Sequence, residues 1–205
     1  MEASEENRRQ VGVKMADILK EIELVQQHSR CLLDASSVDN IIDSLAEDIT
    51  AVCADKNPVV LCVMTGAVVI AGLLLPRLNF PLELDYVHVT RYQNDIKGGD
   101  LSWIKPPSVS LLNREVIILD DVLDEGVTLK SIIGYCEKQG ASACYSAVLI
   151  DKELQTKKPV TADFVGFTTG PEYLYGLGMD YKGYLRNVTG IYACPNNLEE
   201  LLCQI

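Results

Sequence analysis

Basic residues are scarce in this chain: 18 Lys and Arg stand against 29 Asp and Glu, a net charge of −11 over 205 residues. That balance, with a pI near 4.6, excludes an extended nucleic-acid-binding face, which needs clustered cations. No apolar run is long enough to span a bilayer, so no membrane segment is expected. The acidic, polar start does not read as a signal peptide. The seven cysteines (31, 53, 62, 136, 144, 194 and 203) show no CxxC spacing, which argues against a zinc site or a disulfide framework. The chain is expected in a reducing cytoplasm. Its two histidines, His28 and His88, have no catalytic spacing and receive no role. Trp103 is the single tryptophan and is read as a packing anchor. Internal repeats and low-complexity stretches are absent as well.

What remains is globular. Hydrophobic residues make up 48% of the sequence, enough for a substantial core, and the length suits one domain with a small appended subdomain. Residues 1–14 are expected to be loose, with a helix from about Met15 to Gln27. Ser37 is expected to cap an amphipathic helix carrying Ile41, Ile42, Leu45, Ile49 and Val52, which ends by Asn57-Pro58. Val59–Met64 reads as a buried strand of a parallel sheet. A turn, Thr65-Gly66-Ala67, and an apolar helix over Val68–Leu78 follow. Leu82–Thr90 is the next strand, and residues 91–113 hold charges, Gly98-Gly99 and Pro106-Pro107 in a long mobile loop or irregular hairpin. A strand at Val116–Leu119, a helix over Val127–Gln139 and a strand at Ala143–Ile150 complete the alternation. This predicts a doubly wound, mainly parallel α/β sheet. The Gly- and Tyr-rich part from about residue 164 to 205 is expected to form a small hood over the sheet's carboxyl edge.

The most informative stretch is Val116-Ile117-Ile118-Leu119-Asp120-Asp121-Val122-Leu123-Asp124-Glu125-Gly126-Val127-Thr128-Leu129. Apolar, largely β-branched residues make a buried strand, and two adjacent carboxylates are expected to cap its end. A third follows, and then Gly-x-Thr opens a helix with Leu129, Ile132, Ile133 and Cys136 on one face. Ligands of open α/β sheets bind beyond the carboxyl ends of the strands. A turn whose backbone N–H groups face outward at a helix N-terminus is an anion cradle, and the Thr128 hydroxyl adds a donor. An anion cradle beside three acids suits a ligand with a phosphate at one end and hydroxyls or metal-bound groups next to it, such as a ribose 5-phosphate.

This pattern resembles the signature of the type I phosphoribosyltransferases, which bind phosphoribosyl pyrophosphate (PRPP). From about Val59 to Cys194 the chain is similar to the hypoxanthine-guanine phosphoribosyltransferases, and most to their bacterial branch. The resemblance implies the type I phosphoribosyltransferase fold. It implies that Asp120 and Asp121 engage the ribose hydroxyls directly or through Mg²⁺, since carboxylates are strong acceptors and hard metal ligands. Asp124 would be the catalytic acid beside the purine imidazole ring, acting as general base and stabilising the oxocarbenium-like transition state. Glu125, Gly126, Val127 and Thr128 would form the 5′-phosphate loop. Glu125 stands where other branches carry Ser or Thr, so its side chain is expected to point away while its backbone N–H contributes. Thr65 and Gly66 fall in the pyrophosphate-binding turn, with Thr65 in place of a lysine and Ala67 in place of a second glycine.

For the base, Lys152 matches the family lysine that donates to the exocyclic oxygen at purine position 6. Tyr173 would stack on the purine and Leu174 meet its edge. Asp180 matches the carboxylate that holds a second Mg²⁺ on pyrophosphate, and Arg186 a cation near that end. Arg91 and Tyr92 begin the loop that in this family closes over the reacting centre and excludes water. The resemblance thus implies a cytoplasmic purine-salvage transferase that converts PRPP and hypoxanthine or guanine to IMP or GMP and pyrophosphate. It implies Mg²⁺, with Mn²⁺ as a substitute, no nucleic-acid or membrane partner, and a homodimer or homotetramer. A xanthine-preferring enzyme and an RNA-binding regulator on the same fold are the alternatives. The regulator would need a basic face that a −11 chain lacks. A nucleotide-binding subunit without catalysis is disfavoured by the joint presence of Asp120, Asp121, Asp124, Thr128 and Lys152.

Overall fold

Alternating residues of the apolar strands bury against different layers, which is why these segments run to five or six apolar residues without a polar break. A computed structural model describes residues 5–91 and 101–202, with side chains placed for 17–90 and 102–201. In chain order the elements are α1 (Glu5–His28), β1 (Arg30–Leu33), α2 (Ala35–Cys53), β2 (Val59–Met64) and α3 (Val68–Leu74), the last followed by a 3₁₀ turn over Leu75–Arg77. Then come β3 (Glu83–Arg91), β4 (Leu101–Lys105), β5 (Glu115–Leu123), α4 (Val127–Lys138) and β6 (Ala143–Lys152). The chain closes with β7 (Phe164–Thr169), β8 (Leu174–Tyr175), β9 (Ile191–Ala193) and α5 (Leu198–Leu202).

Six strands form the main sheet in the order β4-β3-β2-β5-β6-β7. All neighbours are parallel except β3 and β4. Val60, Cys62, Ile117, Leu119, Ala147 and Leu149 pack with α2 and α3 on one face. Val59, Leu61, Val63, Val116, Ile118 and Val148 pack with Leu129, Ile132 and Cys136 of α4 on the other. Each fully buried Leu, Ile or Val contributes about 1.5–3 kcal/mol relative to exposure, so the two layers fix the strand order. The chain leaves β2 toward β3 on one side and returns to β5 on the other. The switch point therefore falls between the carboxyl ends of β2 and β5, where a crevice opens.

Several expectations are corrected. Helix α1 reaches back to Glu5, well upstream of Met15 and into the stretch expected to be loose. The α2 cap is Asp34, whose carboxylate accepts from the Ser37 N–H at 2.8 Å, and Ser37 itself lies inside the helix. Phe164–Thr169 is not hood but the edge strand β7 beside β6. The hood is a three-stranded sheet in the order β1-β9-β8. Its first strand, unforeseen, comes from before α2 and pairs Arg30 with Ala193. Of the two alternatives for 91–113, Leu101–Lys105 takes the hairpin: it is strand β4, paired antiparallel on β3 with a register shift at His88/Val89; residues 92–100, Tyr92 among them, lie outside the described residues. Among the described residues, no helix is long and apolar enough to cross a membrane.

Asp85 ties the hairpin to the sheet. Its carboxylate accepts from Lys105 Nζ at 2.9 Å and from the N–H groups of Tyr86, Ser108 and Val109. Burial pushes this carboxyl upward, but Lys105 and the three N–H donors outweigh it and hold the pKa at about 2, below its ordinary 3.8. A depressed carboxylate stabilises the fold above its unfolded pKa and loses that contribution as pH falls through its folded one. Asp85→Asn is therefore expected to cost about 2 kcal/mol at neutral pH. In urea titrations the gap to the unsubstituted protein should close between about pH 4 and pH 2. A gap that persists at pH 2 would show that charge is not its origin.

Candidate functional site

Strand β5 runs past both carboxylates. Asp120 pairs with Val148, Val122 with Ile150 and Leu123 with Asp151, so the acids lie within the strand and do not cap its end as expected. Asp121 lines a cavity of about 220 Å³ together with Val122, Asp124, Lys152, Tyr173, Leu174, Met179 and Asp180; Asp120 is not among the lining residues. Six of the residues singled out in the sequence thus meet in one space: Asp121, Asp124, Lys152, Tyr173, Leu174 and Asp180. The sequence reading missed Val122 and Met179, whose signal was their place next to acids already singled out.

Lys152 ends β6, and its Nζ donates to Asp124 Oδ2 at 2.9 Å; the lysine side chain is 11% exposed and the aspartate 47%. The two polar groups expected to address a ligand address each other, a pairing across 28 residues that sequence could not supply. A second pair joins Arg186 Nη2 to Asp180 Oδ1 at 2.6 Å, and Arg186 Nη1 also donates to the Gly178 carbonyl. Tyr173 is exposed and meets Tyr181 edge-on, at 5.9 Å between centroids and 79° between planes. Tyr181 is buried, and its hydroxyl donates to Glu21 of α1.

The β2–α3 turn sits directly beside these residues. A Cβ at position 66 would lie 2.1 Å from Asp121 Oδ2, so only glycine lets the turn approach the carboxylate this closely. Thr65 is exposed and follows a cis peptide bond. Beyond β5, Gly126 has a φ of 78° at the N-terminus of α4, a left-handed conformation suited to glycine. It is the N-cap of α4, which Val127 and Thr128 open. Glu125 is exposed. These loop residues border the cavity's acids along the chain but do not line it. Arg91 is the last residue of β3, and nothing is described of its side chain.

Burial dominates the electrostatics. Asp120 is pushed well above the ordinary carboxylate range by burial and by the adjacent Asp121 charge. Burial also raises Asp121, against the pull of hydrogen bonding with Asp120, the Val122 N–H and the nearby Arg186 charge. Burial and mutual repulsion hold back the ionisation of this pair, and a cation or a set of hydroxyl donors facing it would favour the charged form. Among the described residues, no group of three or more His, Cys, Asp or Glu is set to hold a metal by itself. A metal here would have to complete its shell with ligand oxygens.

Residues 31–182 match the family model described as a phosphoribosyl transferase domain. A hypoxanthine-guanine-xanthine phosphoribosyltransferase from Tritrichomonas foetus is 29% identical over 171 residues, covering 83% of this chain and 93% of that protein. The hypoxanthine-guanine phosphoribosyltransferase of Bacillus subtilis is 27% identical over 160 residues, covering 78% of this chain and 89% of that one. A crystal structure of a hypoxanthine phosphoribosyltransferase from Staphylococcus aureus superposes with a TM-score of 0.77 at 26% identity, covering 81% of this chain and 91% of that chain.

Proposed function

The chain belongs to the phosphoribosyl transferase domain family, and from that premise we propose that it transfers the 5-phosphoribosyl group of PRPP to hypoxanthine or guanine, releasing pyrophosphate. The observation that carries the base assignment is the shared cavity of Lys152, Asp124 and Tyr173. A donor-only ammonium, a carboxylate and an aromatic face suit a flat base with an oxo group at one edge and an acidic N–H at another.

In this reading Tyr173 stacks on the base and Lys152 exchanges Asp124 for the 6-oxo oxygen. That exchange frees the Asp124 carboxylate to accept the imidazole proton as the purine nitrogen attacks the ribose C1. The bond from C1 to the pyrophosphate oxygen breaks with its electron pair leaving on pyrophosphate. Asp120 and Asp121 accept from the ribose hydroxyls. The N–H groups around Gly126 and the start of α4, with the Thr128 hydroxyl, hold the 5′-phosphate. Thr65, Gly66 and Arg186 serve the pyrophosphate end, and Leu174 the base edge.

Asp180 and Asp121, both lining the cavity, have the hard oxygen donors that Mg²⁺ takes, with the remaining positions left to substrate oxygens. When bound, Mg²⁺ neutralises charge on the leaving pyrophosphate. The deciding experiment is a pyrophosphate-release assay with PRPP, Mg²⁺ and, separately, hypoxanthine, guanine, xanthine and adenine. Xanthine is included because the Tritrichomonas relative is named for it. Release with hypoxanthine or guanine is expected, and excess EDTA should abolish it. No release with any 6-oxopurine would reject the function, and full turnover in EDTA would reject the metal.

A further inference from the structure

The connection from β6 to β7 carries a lysine that touches no part of the cavity. Lys158 is 12% exposed at its side chain. Its Nζ donates to the Leu123 carbonyl at 2.7 Å and to Asp151 Oδ1 at 2.5 Å. Leu123 and Asp151 are register partners at the ends of β5 and β6. Each directly precedes one member of the central ion pair: Leu123 precedes Asp124, and Asp151 precedes Lys152. A single ammonium therefore bridges the two strand ends that carry the pair. The residues that follow extend the contact, since a Cβ at Gly126 would lie 3.2 Å from Val160 Cγ1 and 3.4 Å from Pro159 Cδ. The same short segment thus backs the start of α4.

We propose that Lys158 is a positioning residue for phosphoribosyl transfer: it locks the ends of β5 and β6 together and so fixes Asp124, Lys152 and the 5′-phosphate loop relative to one another. The inference rests on the proposed transfer reaction and adds a group that never meets substrate. Asp124 lies just beyond the end of its strand and is half exposed, so the ladder alone does not hold it. The Asp124–Lys152 pair cannot supply the rigidity either, because it has to open when the base binds. Lys158 is independent of that opening. Its two acceptors are a backbone carbonyl and a carboxylate outside the cavity, and both persist while the pair is exchanged for substrate. A displacement of about 1 Å in such a group can cost on the order of 10²-fold in rate.

Lys158→Met keeps the apolar stem and removes both hydrogen bonds, whereas Lys158→Arg keeps the charge and the donors. Lys158→Met is expected to lower kcat with hypoxanthine by about 10²-fold, with a smaller rise in the KM for PRPP as the phosphate loop loosens, and Lys158→Arg should recover most of both losses. Amide hydrogen exchange at the paired strand ends, residues 121–123 and 150–152, should quicken by about tenfold in Lys158→Met, with the central β5 amides unaffected. A merely structural role would lower Tm and protection throughout the sheet and leave kcat in place, and that outcome overturns the proposal. So does unchanged exchange at 121–123 and 150–152. If the unsubstituted protein turns over no 6-oxopurine, the functional reading fails, and the exchange measurement alone decides whether the clamp exists.

Discussion

Replacing Lys152 with alanine is expected to weaken turnover of 6-oxopurines selectively, and the unsubstituted protein is expected to discriminate against adenine by 10⁴-fold or more, the order seen when a wrong ligand leaves a buried polar group unpaired. The side chain is nearly buried, and its partner in the free site is Asp124 at 2.9 Å. A base with an oxygen at position 6 replaces that partner with another acceptor, so the ammonium exchanges one bond for another. Adenine presents an amino group there. The ammonium would then face a donor while its own carboxylate partner had been displaced, and no rotation of a donor-only group relieves this. Stacking on Tyr173 is common to all purines and cannot restore the difference. Steady-state kcat/KM for hypoxanthine, guanine and adenine checks the selectivity. Robust adenine turnover, or an alanine variant with unchanged kcat/KM for hypoxanthine, would remove Lys152 from base choice.

The second large effect belongs to Asp124. Asp124→Asn should lower kcat by about 10²–10⁴-fold, the range of general acid–base groups, while PRPP affinity stays close to that of the unsubstituted protein. The asparagine oxygen can still accept from Lys152, so the free site keeps its shape. What is lost is the capacity to take the imidazole proton and the negative charge beside a cationic transition state. Equilibrium binding of PRPP together with single-turnover rates separates the two. Near-normal turnover would place the base elsewhere, and a parallel loss of PRPP binding would mean that Asp124 serves the ribose instead.

The parallel sheet was legible because its strands are buried on both faces and read as unbroken apolar runs, as at Val59–Met64. The boundaries that went astray were those decided at long range. Asp120 and Asp121 interrupt the apolar run of β5, yet the ladder to β6 carries the strand through them to Leu123. Arg30–Leu33 has no strand-like alternation, and its partner in β9 lies at the other end of the chain. Phe164–Thr169 opens the Gly- and Tyr-rich part expected to form a hood, but its pairing with β6 from Ala147 to Lys152 decides its place. Ser37 is a good cap by type; Asp34 is the one whose carboxylate reaches the free N–H. The acids and the lysine of the candidate site were visible as motifs. The pairing of Asp124 with Lys152 and the bracing by Lys158 were not, because both depend on which strands become neighbours; Asp180 and Arg186 meet within the turns between β8 and β9.

Helix α1 lies upstream of the matched domain, which begins at residue 31. Even so, Ile22 and Val25 share a buried cluster with Tyr175, Tyr181 and Leu185 of the hood. Glu21 accepts hydrogen bonds from both the Tyr181 hydroxyl and Lys182, and Tyr181 supports the ring of Tyr173 edge-on. On the proposed reading, in which a base stacks on Tyr173, docking of α1 and occupancy at that face are two equilibria with a common intermediary. Linkage between two such equilibria is reciprocal: by whatever factor a bound base tightens the seat of α1, a firmly seated α1 tightens the hold on the base.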